Sequence, residues 1–453
     1  MKSKKISKLF YLSFILIFWI LIFTLTCKNP SGPGIDFNLR NWYIMSGMAA
    51  GPGFTNNITY GDNNIIYPSN YMSSASNMVF SNRDSLNYRI PELLALPNGD
   101  LLAFADRRYN GAGDLPNRIE VYVKKSTNNG TNWGAEKQVT PTSSSKSDGY
   151  GDTAAVLDRK TGNVIAVVAH GQGFFQSTSK DPIRIITIRS RNNGESWEAP
   201  IDITSQIYGA GCSDLTRRNW QAAFVTSGNG LQLRNGRLCF VLVVRETTQT
   251  ATKSIKNYLM YSDDGGHKWK VSRGSPRNDN GGNEAKVVEL NQDGHLLMNI
   301  RPNGPIWERY LSRSYDYGET WTDAKVQDDL PSSGSNGDTI YYTSTLNGYD
   351  KNRLITLVDA RPYRNGNNGG PGLPTFYISY DEGYTWTNYK RLYTNHAGYS
   401  SLAILKDGSI GILAELGNSW NGPIYFLKTS IEWCNPNDNP CSPTNSSASA
   451  KKK

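Results

Sequence analysis

An all-β fold is predicted by the composition, by strand-like segments lying between turns, and by a motif that repeats five times. Of 453 residues, 43 are Gly, 26 are Tyr and 11 are Trp, and Asn and Ser crowd the gaps between apolar stretches. Turn chemistry and β-propensity together account for that mixture. The motif is Ser-x-Asp-x-Gly-x-x-Trp. It starts at Ser262, Ser314 and Ser379, and with Asn for Asp at Ser126 and Ser190, at spacings of 64, 72, 52 and 65 residues. Five copies with four fixed positions mark a repeat architecture.

Each copy reads as a β-hairpin turn. The Asp or Asn side chain closes an Asx-type turn on nearby backbone groups, and Gly supplies the positive φ that such a turn needs. The Trp then packs its large ring beneath the turn. Alternating strands such as Ile119-Glu120-Val121-Tyr122-Val123 precede most copies. The repeat resembles the Asp-box, or bacterial neuraminidase repeat, of β-propeller blades. From Asn77 to Trp433 there are 357 residues, about 60 for each of six blades. The resemblance therefore implies a six-bladed β-propeller of four-stranded antiparallel blades. Asp-boxes also occur in propellers that are not enzymes, so they speak for fold alone.

The ends read differently. Residues 1–8 are basic and Leu9 to Thr26 are uncharged, as in an export signal. Cys27 stands where a bacterial lipoprotein carries its lipid, although Thr26 replaces the usual small residue before it. Lipid attachment, plain secretion and an uncleaved membrane anchor all stay open. The expected organisation is a signal over 1–27, an N-terminal extension over 28–76, the propeller over 77–433 and a disordered tail over 434–453. Cys434 with Cys441, and Cys212 with Cys239, are either disulfide pairs or buried thiols.

The formal net charge of +9 suggests nucleic acid only until it is mapped. Four Lys lie in the first eight residues and three close the chain, which leaves residues 27–450 at +2. That removes the electrostatic footprint of a nucleic-acid binder. Five Cys and four His, with no Cys-x-x-Cys, leave little room for a zinc framework. No Walker A loop and no Gly-x-Ser-x-Gly occurs either.

A second constellation resembles the sialidases. Tyr88-Arg89-Ile90-Pro91 is similar to their Phe/Tyr-Arg-Ile-Pro signature, and Leu101 to Arg108 is similar to the strand that follows, with its Asp-x-Arg. Asp114, 25 residues after Arg89, stands where the family carries its acid/base Asp. Gly151-Asp152-Thr153 resembles the block that lines the sugar pocket. Asn283-Glu284-Ala285 and then Arg301 look like the paired Glu and second Arg, 17 residues apart. His396-Ala397-Gly398-Tyr399-Ser400 carries the Tyr-Ser that marks the nucleophile.

The resemblance implies an exo-α-sialidase acting on sialylated glycoproteins, glycolipids or oligosaccharides. Its chemistry explains the residue types. Guanidinia clamp the substrate's carboxylate bidentately. A Tyr nucleophile avoids the like charge that an Asp or Glu would set against that carboxylate. Tyr399 attacks with Glu284 as its base, and Asp114 is the general acid and then base. Arg89 and Arg301 are two carboxylate ligands, and the third is Arg364 or Arg361. Arg108 and Asp152 serve the N-acetyl or 4-hydroxyl end. Trp307 and Trp420 are core residues or aglycone platforms. Glu289 is expected on a strand surface. The chemistry asks for no metal and no cofactor. Two alternatives remain: a trans-sialidase using the same residues, and a non-catalytic lectin or adhesin propeller.

Overall fold

A computed structural model describes residues 78–82, 86–303, 308–332, 334–360, 373–393, 395–419 and 421–438. The expected signal and extension, Trp307, Trp420, Cys441 and the far tail lie outside the described residues, as do both candidates for the third arginine.

Six sheets, antiparallel apart from one two-residue strand, follow one another along the chain as blades 1 to 6 of a propeller. The first, inner strands are Asn87–Ala95, Tyr150–Leu157, Ala222–Val225, Gly282–Glu289, Asp338–Thr343 and His396–Ile404, and in blade 2 the two-residue strand Gly228–Asn229 adds inside Tyr150–Leu157, parallel to it. In blades 1 to 5 the second, third and fourth strands then step outward in sequence order. Blade 6 differs. Its outermost strand is Met78–Phe80, from the other end of the described chain, paired antiparallel with Ile424–Thr429.

This closure explains why six blades carry five Asp-boxes. Each box follows the third strand of its blade and turns the chain into the fourth. In blade 6 the third strand leads instead to a short helix, Ile431–Cys434, because its fourth strand is already in place. The residues just beyond that helix correct the tail reading at its near end. Asp438 is 1% exposed and takes both Nε and Nη2 of Arg353, at 2.9 and 2.7 Å. A buried guanidinium needs such a partner, and this one holds Asn435 to Asp438 on blade 5.

The core is split into six apolar clusters, one at each junction between neighbouring blades. Strand alternation produces the split. In Leu101–Arg108, residues Leu101, Ala103 and Ala105 face blade 6, while Leu102 and Phe104 face blade 2. In Leu238–Arg245, Leu238, Phe240 and Leu242 face blade 2, and Cys239 and Val241 face blade 4. Both faces are covered, so these strands read as continuous apolar runs. Cys212, Cys239 and Cys434 are buried free thiols, which excludes the Cys212–Cys239 pair.

The Asp-box does more than close a hairpin. In the first copy, Ser126 Oγ donates to Asn128 Oδ1 and accepts from Gly130 N, and Asn128 Oδ1 also accepts from Asn132 N. The two residues after the Asp position both have positive φ in all five copies, as at Asn129 (58°) and Gly130 (83°). The turn then seats on the preceding blade. Trp133 meets Phe426 of blade 6 edge-on at 5.4 Å, and Trp197 meets Phe104 of blade 1 at 5.6 Å.

The glycine is where the approach is tightest. A Cβ on Gly318 would stand 2.2 Å from Leu259 Cδ2 of blade 3. Gly162 has a similar φ of 75° but nothing within 4 Å. We expect Gly162→Ala to cost about 1–2 kcal/mol, the left-handed penalty alone. Gly318→Ala is expected to cost about 2–5 kcal/mol, because overpacking is added. Urea denaturation of the two variants checks this; equal costs would remove the inter-blade role.

Candidate active site

Four of the inner strands carry the same defect at the same place. Their register with the second strand slips by one residue between Arg89 and Glu92, Gly151 and Ala154, Gly282 and Ala285, and Ala397 and Ser400. A bulge of this kind re-aims a side chain out of the regular alternation. Asp152, Glu284 and Tyr399 lie inside three of these bulges, and Arg89 borders the fourth. Ile90 and Asp152 hold φ of 59° and 56° there. Pro91 brings no N–H to the ladder, which suits an interrupted strand.

The bulges of blades 4 and 6 bring their residues into contact. Tyr399 Oη donates to Glu284 Oε2, and Arg301 Nη1 donates to that same carboxylate oxygen. Arg301 Nη1 also reaches Tyr399 Oη at 2.9 Å. Glu284 is buried, whereas Tyr399 and Arg301 are partly exposed. Burial is the main cause that raises the Tyr399 phenol well above its usual range, and the Glu284 charge adds to it. Arg301 and Arg89 act the other way. The resting phenol is therefore neutral, with a carboxylate already on its proton.

Arg89 stands beside this pair, its guanidinium carbon 5.3 Å from the centre of the Tyr399 ring. Glu415 holds it there. That carboxylate is fully buried on the second strand of blade 6 and accepts from Arg89 Nε at 3.1 Å and Nη2 at 3.0 Å. It also accepts from the backbone N–H of Ile90 and of Tyr399, both at 2.8 Å. One carboxylate thus joins the bulges of blades 1 and 6. The sequence reading missed Glu415. The signal was available: a lone acid in the apolar run Ile410 to Leu416 has to find a buried partner.

Blades 1 and 2 supply a second group. Asp114 lies on the loop after Leu101–Arg108 with its side chain 73% exposed, and it accepts from Arg108 Nη1 at 2.7 Å. Arg108 is buried, at 1% exposure. Its guanidinium is taken by Asp106, Asp114 and the Ala112 carbonyl. Asp152, at the bulge of blade 2, is pushed well up by burial and then by Asp106 and Asp114. Glu289 departs from its expected surface place. It is 8% exposed and accepts from Arg234 N at 2.8 Å, because strands of this blade are covered on both faces.

A family model described as a BNR repeat-like domain matches residues 90–370, more than half of the chain. The chain belongs to the BNR repeat-like domain family. It is similar to a sialidase of Micromonospora viridifaciens, 29% identical over 357 residues, covering 77% of this chain and 52% of the relative. A sialidase of Bacteroides fragilis (strain YCH46) is 30% identical over 354 residues, covering 73% and 60%. The chain thus spans about half to three-fifths of the length of these relatives. Among solved structures, the Hadza microbial sialidase Hz136 superposes with a TM-score of 0.64 at 25% identity, over 76% of this chain and 66% of that one. No group of three or more metal-ligating side chains occurs among the described residues.

Proposed function

We propose that this BNR-repeat chain is an exported exo-α-sialidase, a retaining glycoside hydrolase that removes terminal sialic acids from glycoproteins, glycolipids or oligosaccharides. The observation that carries the reading is the contact of Tyr399 Oη with Glu284 Oε2, bridged by Arg301 and flanked by Arg89. A phenol paired with a carboxylate between two guanidinia suits an anionic sugar that would repel a carboxylate nucleophile.

Arg89 and Arg301 take the substrate carboxylate, with Arg364 or Arg361 as the third ligand. Asp114 gives its proton to the glycosidic oxygen as the bond from that oxygen to the anomeric carbon breaks. Tyr399 Oη forms its bond to the same carbon and passes its proton to Glu284. In the second step Asp114 takes a proton from water as the water oxygen bonds to that carbon. Tyr399 departs and recovers its proton from Glu284. Two inversions give net retention. Arg108 and Asp152 sit toward the N-acetyl or 4-hydroxyl end, and no step calls on a metal or cofactor. The basic and apolar start of the chain directs export, either to secretion or to attachment through that segment or through a lipid on Cys27.

Release of 4-methylumbelliferone from its α-sialoside tests the reading. The wild-type protein is expected to turn it over and to release the α-anomer of free sialic acid first, followed by NMR. Failure to release the fluorophore removes the enzyme assignment and favours a sialoglycan-binding propeller. Transfer of the sugar to added lactose assigns the same residues to a trans-sialidase.

A further inference from the structure

Asp106 has no part in the steps above, yet it is more tightly enclosed than any group that has. It lies on the second strand of blade 1 at 0% exposure, with an ionisable carboxyl and two donors aimed at it. Arg108 Nη2 reaches its Oδ2 at 3.0 Å, and the backbone N–H of Asp152, from the bulge of blade 2, reaches its Oδ1 at 3.1 Å. The space is fitted to it: a Cβ on Gly151 would stand 2.8 Å from Oδ2.

The other side of Arg108 faces Asp114. Its Nη1 donates to Asp114 Oδ1 at 2.7 Å and to the Ala112 carbonyl at 2.6 Å. The guanidinium is planar, so fixing Nη2 on Asp106 fixes where Nη1 points. The exposed carboxyl of Asp114 is thereby tied, through one rigid fork, to a fully buried anchor.

We propose that Asp106 is the positioning residue for the proton donor: it sets Arg108, and through Arg108 the place of the Asp114 carboxyl. This rests on the sialidase reading above and adds to it a residue that acts through another. The same carboxylate takes the Asp152 N–H, so the two acids that flank the sugar are registered to one point. The charges agree with the geometry. Three carboxylates surround one guanidinium, and burial raises Asp106 itself to about 6.

Leaving-group dependence separates positioning of an acid from general damage. An alkyl or sugar alcohol leaves only with a proton, whereas an aryl leaving group needs little help. In Asp106→Asn an amide NH2 replaces one acceptor and confronts either Arg108 or the Asp152 N–H. We expect kcat/KM on sialyl-lactose to fall about 10–100-fold, the scale of impaired general acid catalysis. On the 4-methylumbelliferyl sialoside the fall should stay within about three-fold, because that step draws little on the acid. The ratio of the two constants does not depend on how much of the protein is folded. Asp106→Ser, which leaves room for water, is the second variant, read by the same ratio. An equal loss on both substrates, or no loss on either, overturns the proposal. A wild-type protein inactive on both substrates would instead remove the sialidase reading itself.

Discussion

Tyr399→Phe is expected to lower kcat on an α-sialoside by at least about 10³-fold while the protein keeps its fold. The change removes one oxygen and leaves the ring, which stands beside Arg89, in place. With the oxygen go its bond to Glu284 and the 2.9 Å contact from Arg301, so two charged groups lose a common partner. The raised phenol explains why the loss should be large. In the proposed mechanism Tyr399 attacks only as Glu284 takes its proton, so proton transfer and attack belong to one event. Once the proton has moved, the charge resides on the phenolate between two guanidinia, a placement that water in the gap left by Phe does not reproduce. Steady-state rates and a thermal melt on the same preparation decide the matter. Rates within ten-fold of wild type would exclude Tyr399 as the nucleophile.

Glu415 gives the second large effect, and it should appear in two observables. Glu415→Ala removes the carboxylate that accepts from Arg89 Nε and Nη2 and from two backbone N–H groups. Removing one partner of a buried pair costs about 3–5 kcal/mol, so a marked drop in Tm is expected. Glu415→Gln keeps the volume and one acceptor but turns an NH2 toward donors. Arg89 then loses its fixed pose, and KM for the anionic substrate should rise more than about ten-fold, a little over 1.4 kcal/mol of lost carboxylate binding. An unchanged KM in a folded Glu415→Gln protein would show that Arg89 is held by other means.

The propeller was legible because its signal is local and repeated. Each Asp-box packs its information into eight residues, and five copies make chance untenable. What the repeat could not announce was its grip on the preceding blade, since a glycine chosen for φ and one chosen for close approach look alike in sequence. The site divided along the same line. Arg89, Glu284 and Tyr399 sit in short motifs, and the structure brings Glu284 and Tyr399 into contact with Arg301 although they are 115 residues apart. Pro91 within a strand was a legible mark of a bulge; the equivalent bulges of blades 2, 4 and 6 carry no proline and were silent. Glu415 and Asp106 act by holding other residues, and a holding role is defined by partners far along the chain. The partners of Arg108 were hidden for that reason. Its motif showed that it matters, and only burial shows which way it faces.

Closure of the ring by Met78–Phe80 has a bearing on how the molecule comes into being. The strand's partners, Ile424 and Tyr425, are made some 340 residues after it. Until they exist, the chain is an open arc: the face of blade 1 bearing Leu93, Leu101 and Ala103 has nothing to cover it. Five junctions can form in sequence as synthesis proceeds, but the sixth must wait for the whole chain. Sequence separation of that size is slow to bridge, and an uncovered strand face is a template for wrong partners. The same three residues that finish the circle therefore tie its closure to the last strands made. A chain halted in blade 5 is an arc with two sticky ends, a natural substrate for chaperones and proteases.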